Sequence, residues 1–128
     1  MSRPCRRIVC VEDDFEVVDL VRLIVAQRGY ELIGAMGGEE GLQIIREIRP
    51  DLVLLDLMMP DMDGWEVYRR LRVDEATRDI PVVVVTAKVQ SIDRVLALHI
   101  AKVDAYVTKP FTPQELLDSI DRVLSGSS

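Results

Sequence analysis

The chain has 128 residues, of which 48% are hydrophobic and 30% are charged, and its formal net charge is −6. This length and composition indicate one soluble globular domain. The negative charge argues against direct binding of nucleic acid, which needs a basic surface to neutralise phosphates. The sequence shows neither the roughly 20 apolar residues that span a bilayer nor the apolar core of a signal peptide. We therefore expect a cytoplasmic protein without membrane association.

Five apolar segments alternate along the chain with segments of helical periodicity. Several of them are continuous runs of Val, Ile and Leu, which are typical of parallel strands covered on both faces. Cys10 falls inside the first of these runs and is expected to be a small core residue. The predicted strands are Ile8 to Val11, Glu31 to Ala35, Leu52 to Leu55, Pro81 to Val85 and Ala105 to Thr108.

The segments between the strands repeat apolar residues every three or four positions, which predicts amphipathic helices. The last helix begins at a motif, Thr112 to Glu115, in which Thr and Glu form a capping box around Pro113. The weakest helical pattern is that of Ser91 to Ile100. The apolar stripes of the other helices are Val17-Leu20-Val21-Ile24, Leu42-Ile45-Ile48, Trp65-Tyr68-Leu71 and Leu116-Ile120-Val123.

This (βα)5 pattern predicts an α/β fold with one doubly wound, parallel five-stranded sheet. Right-handed crossovers leave few topologies, of which the flavodoxin-like strand order 2-1-3-4-5 is favoured. We expect a single domain over residues 1–128, with its core at about 6–124 and a flexible tail at 125–128.

Polar side chains follow four of the predicted strands. The acidic run Glu12-Asp13-Asp14 follows the first strand and Asp56 the third, while Thr86 and Lys109 follow the fourth and fifth. The expected strand order places the ends of strands 1 and 3 side by side, at the point where such sheets bind ligands. Glu12 and Asp13 should therefore lie next to Asp56.

Carboxylates brought this close repel one another by about 4 kcal/mol per pair at ~4 Å and an effective dielectric of ~20. Either one stays protonated or a cation is bound, and a site of carboxylate oxygens suits Mg²⁺, for which Mn²⁺ can substitute. Asp56 could then act as a nucleophile that accepts a phosphoryl group. Lys109 would supply a second positive charge and Thr86 a hydrogen bond to the phosphoryl oxygens.

The sequence resembles the receiver domain of bacterial two-component response regulators over nearly its whole length. The resemblance implies that Asp56 is the phosphorylated residue and that Glu12 and Asp13 hold the metal, with the main-chain carbonyl of Met58 as a further ligand. The segments that carry it are VEDD at 11–14, LLDLMMPDMDG at 54–64, VVTA at 84–87 and YVTKPF at 106–111.

The resemblance also implies how the site would signal. Thr86 and Tyr106 match the family's switch pair, and Lys109 precedes Pro110 in an expected cis peptide bond. A surface formed by the fourth helix, fifth strand and fifth helix would bind a downstream protein partner. A homodimer through the same surface is open, although no feature of the sequence demands it.

The leading functional interpretation is a stand-alone receiver that takes its phosphoryl group from a histidine kinase or a histidine phosphotransfer protein. It is not expected to be an enzyme, apart from its own phosphorylation and dephosphorylation. A receiver excised from a larger regulator or hybrid kinase stays open as the alternative. A phosphatase with an aspartyl nucleophile, similar to haloacid dehalogenases, is disfavoured because Met58 stands where such enzymes have a second Asp.

Two residues are predicted to make the phosphorylated state long-lived. Met58 lies two positions after Asp56, and its apolar side chain cannot orient an attacking water. Lys88 lies two positions after Thr86, and its ammonium offers no acceptor for a proton.

Several residues near the site are assigned structural roles. Asp14 is expected to cap the first helix, and Asp61 and Asp63 to be solvated or to form a turn. Gly64 is expected to adopt a backbone conformation that a side chain would resist. His99 is expected to be a surface residue without a role as phosphodonor or metal ligand.

The sequence departs from the family pattern at Lys102-Val103, where the family usually has Gly-Ala before the fifth strand. If the backbone keeps a positive φ there, Lys102 has a conformational cost that Gly would avoid. Otherwise the loop has been rebuilt. Because this loop borders the expected signalling surface, the departure bears on the output and not on the phosphorylation site.

Overall fold

A computed structural model describes residues 5–87 and 95–126. Over these residues the chain forms one sheet of five parallel strands in the order β2-β1-β3-β4-β5, which confirms the predicted fold class. Three of the strands have the predicted bounds, and the other two differ by one residue at their ends. The strands are β1 (Arg7–Val11), β2 (Glu31–Ala35), β3 (Leu52–Leu55), β4 (Val82–Thr86) and β5 (Ala105–Thr108).

Helical segments follow the strands. The predicted capping box of the last helix is present, because the amide of Glu115 donates to Thr112 Oγ1 and the amide of Thr112 donates to Glu115 Oε1. None of the helices in residues 5–87 and 95–126 has the length and apolar character of a membrane span. The segments are α1 (Phe15–Ala26), α2 (Gly38–Ile48), α3 (Gly64–Val73), α4 (Leu96–Ile100) and α5 (Pro113–Leu124).

The weakest predicted helix is also the least regular one. Part of the predicted segment Ser91 to Ile100 lies outside the described residues, and α4 is a single stretch of π-helix. The amide of Ala101 donates to the carbonyl of Leu96 at 2.7 Å, which closes the wider turn of a π-helix. Within α4 only Ala97 is buried, so this segment contributes little to the core.

The continuous apolar runs are explained by burial on both faces of the sheet. In β3, Leu52 and Leu54 pack toward α1 and α5, whereas Val53 and Leu55 pack toward α2 and α3. Cys10 is buried as predicted, and burial raises the pKa of its thiol to about 12. Since every position of β3 is covered, alternation of apolar and polar residues is absent from this strand.

The predicted bounds of the fourth strand, Pro81 to Val85, were wrong by one residue at each end. Pro81 has no backbone N–H, although its carbonyl still accepts a hydrogen bond from the amide of Val53 at 2.9 Å. At the other end the strand includes Thr86, which pairs with Thr108 and whose main-chain carbonyl accepts a hydrogen bond from the amide of Lys109 at 2.9 Å. Thr86 therefore lies in the last position of a central strand, and not in the loop after it.

Candidate functional site

The site lies at the carboxyl edge of the sheet, where β1 and β3 end side by side. Val11 pairs with Leu55, and the amide of Asp56 donates to the carbonyl of Val11 at 3.1 Å. This register brings together carboxylate oxygens of Glu12, Asp13 and Asp56, all within 4.8 Å of one another. The structure therefore places the three predicted acids in one cluster.

Lys109 reaches this cluster from the end of β5. Its Nζ lies 2.5 Å from Glu12 Oε2 and 3.4 Å from Asp56 Oδ2. The peptide bond between Lys109 and Pro110 is cis, as the family resemblance implied. A single ammonium thus contacts both of the buried carboxylates.

Among the described residues, the cluster has more negative than positive groups, three carboxylates beside one ammonium. Glu12 is 3% exposed and Asp56 is 5% exposed, whereas Asp13 is open to solvent. Burial raises the pKa of Glu12 to about 7, against the opposing effect of the Lys109 hydrogen bond and with a further contribution from the Asp56 charge. Burial lowers the pKa of Lys109, but the hydrogen bond to Glu12 and the charge of Asp56 outweigh it, so the pKa of Lys109 is raised.

The oxygens of this cluster fit a hard divalent cation. Carboxylates from Glu12, Asp13 and Asp56 converge, and an excess of negative charge stays beside a single ammonium. Mg²⁺ prefers one or two such carboxylates together with waters and phosphate oxygens. The exposed position of Asp13 leaves one side of the cluster open to solvent.

Asp14 takes no part in the cluster and has the predicted structural role. Its Oδ1 accepts a hydrogen bond from the amide of Glu16 at 2.9 Å, which caps α1. The amide of Asp14 donates to Glu12 Oε1 at 3.3 Å, so the same turn also orients the first acid. The acidic run therefore divides into two side chains that face the site and one that caps the helix.

Met58, in the loop after β3, contacts Asp56 through its main chain. Its amide donates to Asp56 Oδ1 at 3.0 Å, while its side chain is 54% exposed. Asp56 is thereby held through one oxygen, and its Oδ2 faces Lys109. Lys88, the other residue predicted to affect the lifetime of the phosphorylated state, lies outside the described residues.

The two predicted switch residues are both buried. Thr86 is 0% exposed and Tyr106 is 5% exposed, and they occupy neighbouring strands β4 and β5. Tyr106 packs in the cluster on the α2 and α3 face of the sheet, together with Ala97 of α4 and Val103. The Tyr106 ring thus links the end of the sheet to the segment that contains α4.

Gly64 is required for a reason different from the predicted one. Its φ lies outside the left-handed region, so no unusual backbone conformation explains it. A Cβ at this position would instead lie 2.5 Å from the carbonyl oxygen of Asp56 and 2.5 Å from the Cα of Leu57. The start of α3 therefore packs directly against the backbone that carries the candidate phosphoacceptor.

The interpretation of Asp61 and Asp63 as solvated or turn residues missed their helix contacts. Asp63 caps its own helix, α3, through the amide of Trp65 at 2.7 Å. Asp61 reaches α2 instead, where the amides of Gly38 and Glu39 donate to its carboxylate at 3.1 and 3.3 Å. The one sequence signal for this contact was the start of α2 at a Gly, which offers no side-chain cap.

The loop with the unusual Lys102-Val103 pair keeps a left-handed backbone. Lys102 has a φ of +62°, and Val103 is buried. Tyr68 Oη donates to the carbonyl of Ala101 at 2.7 Å, directly before this turn. Of the two alternatives, the structure supports the positive φ, which has a conformational cost at Lys102. His99 is exposed, in agreement with its predicted position at the surface.

Comparison with known proteins gives a consistent result. Residues 8–121 match the family model of the response regulator receiver domain. The chain is 40% identical over 112 residues to the DNA-binding response regulator MtrA of Mycobacterium tuberculosis, covering 88% of this chain and 47% of that protein. It is 35% identical over 119 residues to the phosphate regulon transcriptional regulatory protein PhoB of Pseudomonas aeruginosa, covering 93% of this chain and 52% of that protein. The chain thus spans about half the length of these relatives.

Solved structures show the same architecture. A CheY-like response regulator receiver domain protein from Methanospirillum hungatei superposes with a TM-score of 0.86 at 31% identity, covering 96% of each chain. A response regulator described as putative, from Chloroflexus aurantiacus, gives a TM-score of 0.88 at 30% identity, covering 95% of this chain and 99% of that chain.

The tight contact of Gly64 predicts a stability effect. We expect Gly64→Ala to lower the free energy of unfolding by about 2–3 kcal/mol, in the upper part of the range for overpacking, because the added methyl group must displace the backbone at Asp56 and Leu57. The control is Gly29→Ala, where φ is +76° but no atom lies within 4 Å of the added Cβ, so the loss should be about 1 kcal/mol. Urea unfolding measures both, and an equal or smaller loss for Gly64→Ala would contradict the steric explanation.

Proposed function

The chain belongs to the response regulator receiver domain family, and from that premise we propose that it is a switch phosphorylated on Asp56 with Mg²⁺ as cofactor. The observation that carries the proposal is the cluster at the sheet edge. Buried Asp56 lies among two further carboxylates and faces an ammonium, with its second oxygen held by a backbone amide. Glu12 shares this burial and also contacts Lys109, so the choice of Asp56 over Glu12 as the phosphoacceptor rests on the resemblance to the family.

The proposed reaction transfers a phosphoryl group from a phosphohistidine to Asp56. Asp56 Oδ2 attacks the phosphorus, the phosphorus–nitrogen bond of the donor breaks, and the imidazole leaves with the electron pair. The product on this chain is an acyl phosphate. Asp56 Oδ1 is occupied by the amide of Met58, which leaves Oδ2 on the side of Lys109 as the attacking atom.

The neighbouring side chains stabilise the charge that arrives with the phosphoryl group. Lys109 Nζ, now on Glu12 and Asp56, can move onto a phosphoryl oxygen, and the Thr86 hydroxyl can donate to another. When bound by Glu12, Asp13, Asp56 and the main-chain carbonyl of Met58, Mg²⁺ or its substitute Mn²⁺ supplies positive charge beside the phosphoryl oxygens. The single positive charge of Lys109 contacts two buried carboxylates and cannot balance both, so a divalent cation is needed as well.

We propose that Thr86 and Tyr106 convert this local charge into a change of surface. When the Thr86 hydroxyl turns toward the phosphoryl oxygen, it vacates space into which the Tyr106 ring can turn. The ring packs beside Ala97 and Val103, so its movement would shift the populations of two arrangements of α4, β5 and α5. That surface is the proposed binding site of a downstream protein, and a homodimer through it stays open.

The partners follow from the family and from the length of the relatives. We propose a histidine kinase or a histidine phosphotransfer protein as the donor. MtrA and PhoB are named as DNA-binding and transcriptional regulators, and about half of each lies outside the match to this chain. A receiver that functions as part of a larger regulator is therefore supported as the alternative to a stand-alone one. Direct nucleic-acid binding is not proposed for this chain, which has a net charge of −6. A cytoplasmic location stays a prediction.

We do not propose an enzyme acting on an external substrate. An aspartyl phosphatase similar to haloacid dehalogenases would need its acid–base residue two positions after the nucleophile. The side chain two positions after Asp56 is that of Met58, which is apolar and 54% exposed. The proposed chemistry is therefore limited to phosphorylation of Asp56 and its hydrolysis.

The central test is covalent labelling of Asp56. We expect acetyl phosphate to phosphorylate the wild type only when Mg²⁺ or Mn²⁺ is present, and we expect no labelling of Asp56→Asn, which lacks the nucleophilic oxygen. Intact-mass spectrometry measures the adduct. The matched control is Asp51→Asn, since Asp51 is an exposed acid at the opposite edge of the sheet and should leave labelling unchanged. Equal labelling of Asp56→Asn would falsify the assignment.

A second prediction separates the metal ligands from the helix cap. Asp13→Asn should raise the Mg²⁺ dissociation constant by about tenfold or more, because it removes a charge from the carboxylate cluster. Asp14→Asn should barely change it, because Asn also caps helices and Asp14 lies outside the cluster. A Mg²⁺ titration followed by Trp65 fluorescence measures both values. The reverse order of effects would mean that the acidic run has been assigned one residue out of register.

A third prediction concerns the lifetime of the phosphorylated state. We expect Met58→Asn to speed phosphate release by roughly tenfold, because an amide can orient the attacking water. This is less than the roughly 10²–10⁴-fold of a general acid or base, since an amide cannot take the proton. Lys88→Glu should also speed release, on sequence grounds alone. Met58→Leu is the control, since it keeps the position apolar and should leave release slow. Phosphate release at fixed Mg²⁺ is the measurement, and unchanged rates in Met58→Asn and Lys88→Glu would show that these positions do not set the lifetime.

A further inference from the structure

The loop of residues 57–63, called here the acceptor loop, joins β3 to α3 and contains the main-chain carbonyl of Met58 that is proposed to bind the metal. Both ends of the loop are fixed beside Asp56. The amide of Met58 donates to Asp56 Oδ1 at 3.0 Å, and the amide of Gly64 donates to the carbonyl of Leu57 at 3.1 Å. The middle of the loop is fixed by a different element, the N-terminus of α2.

Asp61 makes this contact with its carboxylate. Oδ1 accepts a hydrogen bond from the amide of Gly38 at 3.1 Å, and Oδ2 accepts one from the amide of Glu39 at 3.3 Å. The amide of Gly38 holds the pKa of Asp61 below its usual range, so the side chain stays charged at neutral pH. The N-terminus of α2 attracts this charge, because its first amides have no partner within the helix.

Two glycines at the start of α2, the N-cap Gly37 and the first helical residue Gly38, leave the room for the contact. A Cβ on Gly37, whose φ is +119°, would lie 3.0 Å from both carboxylate oxygens of Asp61. A Cβ on Gly38 would lie 2.8 Å from the Cβ of Met62. The sequences Gly37-Gly38 and Asp61-Met62, distant along the chain, therefore fit each other, and a side chain on either glycine would push the acceptor loop away.

The contact is close enough to the metal ligand to control its position. Only Met59 and Pro60 separate Met58 from Asp61, and the ring of Pro60 fixes one of the intervening backbone angles. A loop held at Asp56, at Asp61 and at Gly64 has little freedom to move the carbonyl of Met58. Without Asp61, the middle of the loop would lose its hydrogen bonds to the N-terminus of α2.

We propose that Asp61 is a positioning residue for the proposed metal site, acting by clamping the acceptor loop to the N-terminus of α2. This inference rests on the proposed function, since it concerns the carbonyl of Met58 as a metal ligand. Residues that orient metal ligands typically change metal affinity by about 10- to 100-fold when they are removed. Asp61 contacts α2 and not the acidic cluster, so its expected effect lies at the lower end, about tenfold.

The experiment compares Asp61→Ala with two matched variants that separate positioning from charge. Asp61→Asn removes the charge but keeps a side-chain oxygen that can accept from the amide of Gly38. Asp63→Asn removes a charge from the same loop and keeps the cap of α3, since Asn is a good capping residue. The Mg²⁺ dissociation constant is measured by calorimetry on each folded protein, and amide hydrogen exchange is measured at Gly38 and Glu39 without metal.

We expect Asp61→Ala to raise the Mg²⁺ dissociation constant about tenfold and to speed exchange of both amides, because the clamp is gone. Asp61→Asn should recover most of the affinity, and Asp63→Asn should stay within about twofold of the wild type on both measurements. Equal weakening in all three variants would overturn the proposal, because it would mean that only the lost charge matters. Faster exchange in Asp61→Ala with unchanged Mg²⁺ affinity would also overturn it, leaving Asp61 as a helix cap.

The same measurements distinguish this inference from the proposed function. If the wild type binds no Mg²⁺, the proposed function fails and the positioning role fails with it. If the wild type binds Mg²⁺ with the same affinity as Asp61→Ala, the proposed function stands and only the positioning role is overturned.

Discussion

The candidate site depends on an imbalance of buried charge. Glu12 and Asp56 are buried beside each other, and the partly buried ammonium of Lys109 contacts both of them. Burial disfavours the charged carboxylates, and one positive charge cannot neutralise both of them together with Asp13. The raised pKa of Glu12, about 7, reflects this imbalance. A phosphoryl group on Asp56 would add further negative charge, so the same imbalance explains why phosphorylation should require a divalent cation.

The hydrophobic core is what keeps these charges together. β1 and β3 are covered on both faces, and Val11 pairs with Leu55 immediately before the two acids. A slip of one residue in this pairing would exchange the faces of every side chain in the strand. The apolar packing against α1 and α5 on one face, and against α2 and α3 on the other, therefore fixes the positions of Glu12 and Asp56 as firmly as any contact within the site.

Sequence patterns predicted what depends on local periodicity, and missed what depends on contacts between distant backbone segments. The strand runs and the predicted strand order were enough to place Asp56 beside Glu12. Each acid directly follows its strand, and β1 and β3 are parallel neighbours in that order. The contact of Asp61 with α2 joins segments 23 residues apart, and its one local signal is the start of α2 at a Gly without a side-chain cap. Gly64 was recognised as unusual but explained wrongly, since a glycine required for close packing looks the same in a sequence as one required for a positive φ.

The loop before β5 shows both a local sequence signal and contacts with distant segments of the chain. Lys102 keeps a φ of +62°, which costs a residue with a side chain about 1 kcal/mol, so surrounding contacts must stabilise the turn. Tyr68 supplies one of them by donating to the carbonyl of Ala101, and buried Val103 packs in the same cluster as Tyr68 and Tyr106. The turn is thus held by the side chains that the proposed movement of Tyr106 would disturb. Lys102, which departs from the family pattern, therefore lies beside the residues that are proposed to connect Asp56 with α4.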